Sequence, residues 1–394
     1  MHKPKINKTK HNKTNKINKK TNIKKNKNKT SKTKGGKIIG SGGYGCVFRP
    51  ALKCKDESSR EPNKISKLMK NDYAENEYKE IIQFLPILKK IPNYASYFLV
   101  EDITLCKPDK LSEDDLENFK NKCKPLKKLN MTSENINEHL DELQSLNMPD
   151  GGINVGDYVD DEKPIDELNQ MLIDLLVNGI IPMNQLDVYH ADVKESNILV
   201  GKDQHARLID WGLSYKTNGS SVPKIFSKKP LQYNVPFSSI LFNTTFVEMY
   251  KEFNPEKTMK SEKQIKSFVR NYLYEWNDER GEGHLKLINK LIKLTTEKSG
   301  TTVIIDYLSE IIIKYTQPPK KYWLMDYFKN IFLKNLDVWG LIMSYSPILE
   351  KTKDPKLKKI FADYLYDPTK AGEVINVDEL VESLLEKGIK TSFI

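Results

Sequence analysis

The stretch from Tyr189 to Gly212, YHADVKESNILV-GKDQHA-RLIDWG, constrains this chain more than any other. It places Asp192, Lys194 two residues on, Asn197 five residues after Asp192, and Asp210 at the head of Asp-x-Gly. The apolar runs Ile198-Leu199-Val200 and Leu208-Ile209 predict two short buried strands that carry a polar loop at their ends, a frequent place for chemistry. A lone His-x-Asp is usually a hydrogen-bonded pair near a core, and a lone Asp-x-Gly is usually a turn. In this order and spacing they form the set that phosphoryl transfer from a nucleoside triphosphate needs. One carboxylate positions the attacking hydroxyl, a second carboxylate and an amide oxygen hold Mg²⁺, and a cation sits near the moving phosphate.

Residues 37–49, KIIGSGGYGCVFR, contain Gly40, Gly42 and Gly45 as GxGxxG, with Val47 two residues later. Dinucleotide-binding folds also use such glycines, but there a helix follows directly. Here Cys46-Val47-Phe48-Arg49 reads as a strand, so the expectation is a glycine-tipped hairpin: backbone N–H groups of Gly40, Ser41, Gly42, Gly43, Tyr44 and Gly45 close over phosphates, and Val47 covers the base. Lys64–Met69 reads as the next strand. Lys67 is the candidate phosphate-gripping lysine, with Lys64 as its substitute. A helix expected over about Tyr73–Lys90 carries Glu75, Glu77 and Glu80. Glu77 is favoured as the partner of Lys67 because Ile81 and Phe84 continue its face; the other two remain open. Residues 98–105 read as a strand, and 107–140 as a charged, helix-prone insertion before a strand near Leu143–Asn147. Met148-Pro149-Asp150-Gly151-Gly152 suits a hinge, or simply a tight turn.

These motifs together resemble the eukaryotic-type serine/threonine protein kinase family over about residues 35–394. The phrase VYHADVKESNILV, the segment Tyr233–Phe237 and the Asn/Lys-rich N-terminus resemble its divergent giant DNA virus (mimivirus-like) branch. The resemblance implies an α+β, bilobal protein kinase-like fold, with a β-rich small lobe over 35–147 and a mainly helical large lobe over 148–394. It implies ATP and Mg²⁺ as cofactors and protein Ser/Thr hydroxyls as substrate. By it, Asp192 orients and deprotonates the hydroxyl, Lys194 neutralises the γ-phosphate, and Asn197 and Asp210 bind Mg²⁺. Backbone atoms of Asn147 and Met148 hydrogen-bond adenine, Leu146 guards the back of the pocket and Leu199 floors it. Leu336-Asp337-Val338-Trp339-Gly340 is similar to the buried Asp-x-Trp whose Asp holds the catalytic loop in that family. It arrives about ninety residues late, so a largely helical insertion is expected from roughly Ser238 to Asn335, packed on the lobe by Trp323, Tyr327 and Phe328. Residues 165–180 read as a core-facing helix, and the last 45 as two or three helices.

Several positions depart from the family pattern. Ile65 stands where Ala is usual, which narrows the adenine pocket. Ala191 replaces an Arg that would receive a phosphorylated loop, so activity is expected without loop phosphorylation. Trp211 replaces Phe, and YNVPFS stands in for Ala-Pro-Glu. Two rival readings stay open: a pseudokinase scaffold, and a small-molecule phosphotransferase of the aminoglycoside or choline kinase type.

Charge is unevenly distributed. Residues 1–34 hold fourteen Lys and no acid; without them the net +11 falls to about −3 for the remaining 360 residues. Such a tail cannot bury enough apolar surface to offset its ordering entropy, and it reads as disordered, with loose polyanion contact as its functional possibility. No apolar run is long enough to span a bilayer and no secretory signal is evident, so a cytoplasmic location (host cytoplasm if viral) with no membrane contact is expected. Cys46, Cys54, Cys106 and Cys123 lack CxxC spacing and read as reduced thiols.

Overall fold

The glycine-rich segment forms a hairpin. β1 (Lys37–Ser41) pairs antiparallel with β2 (Gly45–Arg49), and β2 pairs with β3 (Lys64–Lys70). The computed structural model describes residues 36–228, 231–316 and 323–386; the expected disordered tail and its polyanion contact lie outside them. β4 (Thr104–Cys106) and β5 (Leu143–Pro149) complete a five-stranded antiparallel sheet in the order β1-β2-β3-β5-β4. Its register sets what faces what. Gly40, Val47, Lys67, Leu146 and Leu105 are successive ladder partners, so their side chains lie in one row on one face. The neighbouring row, Phe48-Ser66-Asn147-Thr104, points to the other face.

That second face is covered by the 107–140 insertion, which folds as short helices at Glu113–Leu116, Phe119–Lys122 and Lys124–Lys127. Leu111, Phe119, Leu126, Met131 and Ile136 pack on Ile38, Phe48 and Leu68 as a core of their own. The charge-rich composition is explained by what these helices leave outside. One charge is inside: Asp115 is fully buried, receives Arg60 as a two-pronged fork at 2.5 and 2.7 Å, and accepts the Gly36 amide at 2.6 Å. The cysteines correct the expectation of free thiols. Cys46 is bonded to Cys123 and Cys54 to Cys106, with Cα atoms 5.3 and 5.7 Å apart. Partners 77 and 52 residues apart leave no local spacing signal; only the docking of the insertion on β2 brings the first pair together.

The Lys67 face meets α1 (Asn71–Ile82), which ends before Pro86, a residue without the N–H a continuing helix needs. A second correction concerns residues 98–105, where only Thr104–Cys106 forms a strand in the sheet. The Leu99 amide bonds Leu208 and the Leu208 amide bonds Tyr97, so this segment is tied instead to the second half of the chain. Its apolar residues Phe98 and Val100 are buried there.

Beyond β5 the chain turns through Asp150-Gly151-Gly152 into β6 (Ile153–Asn154). Gly152 has φ +99°, and a Cβ on it would strike the Val200 carbonyl, so only glycine fits this crossing. Helix α2 (Ile165–Asp174) continues through a π-helical turn, Leu175–Ile180, into Ile181–Gln185. The stretch Tyr189–Gly212 and the residues beside it then supply β7 (Val188–Tyr189), β8 (Ile198–Val200) and β9 (Ala206–Leu208), followed by β10 (Tyr215–Lys216). These form a three-stranded sheet β6-β8-β9 and a β7-β10 pair. The described residues within 238–335 are largely helical, as expected, with helices at Thr244–Phe253, Glu262–Arg280, α3 (Gly283–Thr296) and Gly300–Thr316 before α4 (Leu333–Met343). Tyr327 and Phe328 are buried against Ser238 and Phe242, while the Trp323 side chain lies outside what is described. The helices Ser346–Thr352, Pro355–Ile360 and Val377–Leu385 close the described chain. The fold is thus mixed α and β, with a small five-stranded antiparallel sheet ahead of a mainly helical remainder. No helix among the described residues is long and apolar enough to cross a membrane.

Removing one partner of a buried ion pair strands the other charge. Asp115→Ala should therefore destabilise the chain by about 3–5 kcal/mol, read as a lowered denaturant midpoint with the slope retained.

Candidate active site

The polar loop between β7 and β8 is held from below by a residue 145 positions after Asp192. Asp337 on α4 is fully buried and accepts the His190 amide at 2.9 Å, the Ala191 amide at 2.8 Å and the Asn184 side chain at 2.8 Å. Burial pushes its carboxyl above the usual range, opposed by His190 and these donors. The anchor holds Ala191 at φ +58°, a left-handed conformation unfavourable for a side chain with a Cβ. His190 is fully buried. Its Nε2 donates to the Ile209 carbonyl at 3.0 Å, and its ring meets Trp211 edge-on with centroids 5.0 Å apart. Trp211 also touches Phe84, two residues beyond α1, and Phe98. Burial holds the His190 imidazole below its ordinary value.

Asp192 projects from this loop and is nearly buried at 4 % exposure. Its Oδ2 accepts Lys194 at 2.8 Å and Asn197 Nδ2 at 2.8 Å; its Oδ1 accepts Asn234 Nδ2 at 3.0 Å. The Asn197 amide also donates to the Asp192 carbonyl, which turns Asn197 Oδ1 away from these bonds. Asp210 stands at φ +66°. Neither its carboxylate nor Asn197 Oδ1 hydrogen-bonds any described residue, so both oxygens are available to a hard cation. No group of three His, Cys, Asp or Glu among the described residues could hold a metal unaided.

On the sheet, Lys67 Nζ lies 2.7 and 2.6 Å from the two carboxylate oxygens of Glu77 on α1. Glu75 is exposed, and Lys64 is occupied on another side by Glu61 and Asp102, at 3.0 and 2.8 Å. The glycine hairpin turns through a Gly42 amide to Gly45 carbonyl bond of 3.0 Å. A Cβ at Gly42 would lie 3.6 Å from Lys67 Nζ, so the hairpin's tip stands over that cation. Ser41 and Gly43 belong to the same tip, and Tyr44 leans out to stack on Tyr73 of α1 at 4.7 Å. Val47 shares the Lys67 row. Leu199 packs under Gly151, whose missing Cβ would lie 2.7 Å from it. Met148 is a ladder partner of Ile65 on the Lys67 side, whereas Asn147 turns its side chain to the other face, toward Ser66, Ser145 and Cys54.

Four participants escaped the sequence reading. Asn234 donates to Asp192, Tyr233 donates to both oxygens of Glu195 at 2.7 Å, and the Tyr233 amide donates to His284 Nδ1 at 3.1 Å. Only the singled-out segment Tyr233–Phe237 hinted at two of them; Glu195 and His284 gave no signal of their own. Ala191 faces an apolar cavity lined by Leu213, Ile225, Phe226, Leu231 and Val235, so the segment after Gly212 rests on it by packing rather than by charge. Comparison of the chain with protein-family models and with curated proteins finds no match in either.

His190 supplies a pH dependence. In the unfolded chain it takes up a proton below about pH 6.5, whereas the folded chain resists it until the pH is lower. Its contribution to stability is therefore complete above about pH 6.5 and declines as the pH falls from there toward the depressed folded value. The stability of the wild type minus that of His190→Gln, measured by denaturation across pH 4–8, should fall toward the acid side; a flat difference would contradict a buried neutral imidazole.

Proposed function

We propose that the chain is a serine/threonine protein kinase that transfers the γ-phosphate of ATP to protein hydroxyls, on a bilobal kinase-like fold. The observation that carries the reading is the held carboxylate of Asp192. Three side-chain donors fix it, two on one oxygen and one on the other, at the mouth of a loop that also presents Asp210. Asp192 orients the acceptor hydroxyl and takes its proton as the new O–P bond forms and the bond between the γ-phosphorus and the ADP oxygen breaks. Lys194 stays beside the carboxylate and meets the negative charge of the moving phosphoryl group. Lys67, steadied by Glu77, grips the phosphates that remain with ADP, under the hairpin of Gly40–Gly45. Asn197 Oδ1 and the Asp210 carboxylate would hold Mg²⁺, which neutralises phosphate charge when bound. Val47, Leu146, Met148 and Leu199 supply apolar surface for the base. Placement in the giant-virus branch, and with it a host-cytoplasm location, rests on sequence wording alone.

One observation favours the scaffold reading as a second possibility. Ile65 and Met148 oppose each other on the Lys67 side, where bulk narrows the space for adenine.

The test is Mg²⁺-dependent transfer of labelled γ-phosphate from ATP to Ser/Thr substrates, with aminoglycosides and choline offered in parallel. Asp192→Asn should lower kcat by about 10²–10⁴-fold and leave ATP affinity within a few-fold, since the lost interaction belongs to the transfer step. Equal activity in that variant would remove Asp192 from its role. Label on a small molecule would favour the phosphotransferase, and bound ATP without transfer would favour the scaffold.

A further inference from the structure

The insertion over residues 238–335 sends Ser239, Ile240 and Trp276 to the cavity beside Ala191, and a further residue, His284, to Tyr233. Between the helix Glu262–Arg280 and α3 the chain reverses at Gly281, with φ +72°, a backbone state that favours glycine. The reversal puts His284 in the first turn of α3, whose Leu285, Ile288, Leu291 and Ile292 are buried in the core. The imidazole is therefore delivered on an anchored helix. It makes two contacts with one residue: the ring lies parallel to Tyr233 at 5.6 Å and 14°, and Nδ1 accepts the Tyr233 amide at 3.1 Å. Tyr233 in turn donates its hydroxyl to both Glu195 oxygens, three residues after Asp192. The next residue, Asn234, donates to Asp192 Oδ1 and to the Val193 carbonyl at 3.1 Å.

Tyr233 and Asn234 thus bind the catalytic loop through side chains, while the backbone that carries them is fastened by His284. Accepting an N–H requires an unprotonated Nδ1. Burial, and then the positive charge of Lys194, hold the His284 imidazole below its ordinary value, with Asp192 acting in the opposite sense. Burial, and then Glu195, push the Tyr233 phenol far up, so it remains a neutral donor.

We propose that His284 is a positioning residue of the phosphotransfer site: the helical insertion uses it to fasten Tyr233, and so to hold Asn234 on the Asp192 carboxylate. The proposal deepens the kinase reading and rests on it. It assigns the long insertion a task inside the catalytic domain, that of a built-in clamp on the segment which follows the Asp210 loop. The cavity beside Ala191 agrees with this, because no cationic side chain is present at that position to tether the segment by charge.

Three variants separate the contacts. His284→Phe keeps a ring against Tyr233 and removes the acceptor. His284→Asn keeps an acceptor near the Nδ1 position and removes the ring. Leu287→Ala, a partly buried residue of the same helix away from the contact, controls for general loosening of α3. Hydrogen exchange of the Tyr233 amide reads the clamp whether or not the chain transfers phosphate. Loss of one hydrogen bond should speed exchange about tenfold in His284→Phe, with His284→Asn close to wild type. In the transfer assay, kcat should fall about tenfold in His284→Phe with KM for ATP unchanged, and recover in His284→Asn. Unchanged exchange in His284→Phe overturns the clamp, as does a rate loss that Leu287→Ala reproduces. Wild-type protein that transfers no label sinks the kinase reading and with it the catalytic purpose of the clamp. Altered Tyr233 exchange would then still show the contact itself.

Discussion

Everything at the centre of this protein depends on one buried carboxylate. Asp337 is enclosed in α4, and a carboxylate there is costly unless donors surround it. The loop supplies them: two consecutive backbone amides, from His190 and Ala191, and the Asn184 side chain. The exchange works in both directions. The carboxylate gains the donors it needs, and the loop gains a fixed point that sustains a left-handed alanine next to Asp192. A loop of this kind has few apolar side chains of its own to pin it, so its geometry is borrowed from the helical core.

From that point order spreads along two short routes. The first runs through His190 to the Ile209 carbonyl and the face of Trp211, which meets Phe84 and Phe98. The loop carrying Asp210 thereby meets the segment that directly follows α1, and α1 carries the partner of Lys67. The second route runs from Asp192 to Asn234, Tyr233 and His284, into the insertion. Both segments thus pack into the described fold. The one over 107–140 gives the outer sheet face a core and, through Cys46–Cys123, a covalent tie, and the one over 238–335 sets His284 against Tyr233.

The sheet shows how little freedom the Lys67 face has. One ladder row contains Gly40, Val47, Lys67 and Leu146, so a one-residue slip of β3 would turn Lys67 toward the insertion's core and an apolar neighbour toward the cleft. The register is secured on the reverse side. Phe48 and Leu68 are buried there, and Cys46 is bonded to Cys123. Packing on one face therefore places Lys67 on the other.

The residue types and short-range spacings were legible in the amino-acid order because each depends on neighbours a few positions away. Asp192, Lys194 and Asn197 share one loop, the glycines share one hairpin, and the helical period of 165–180 marks a core face. Asp337 was legible too, though only through its Asp-x-Trp neighbourhood and a family resemblance. Helix period already favoured Glu77 over Glu75 and Glu80 as the partner of Lys67, and the docking of α1 against the sheet brings that residue to the lysine. Tertiary structure alone decided that the four cysteines pair, that 98–103 leaves the sheet for Leu208, that Asn234 reaches Asp192 and that His284 reaches Tyr233. These are contacts between segments tens of residues apart. No local periodicity encodes such a contact; it exists only once the cores have packed and brought the two segments to the same place.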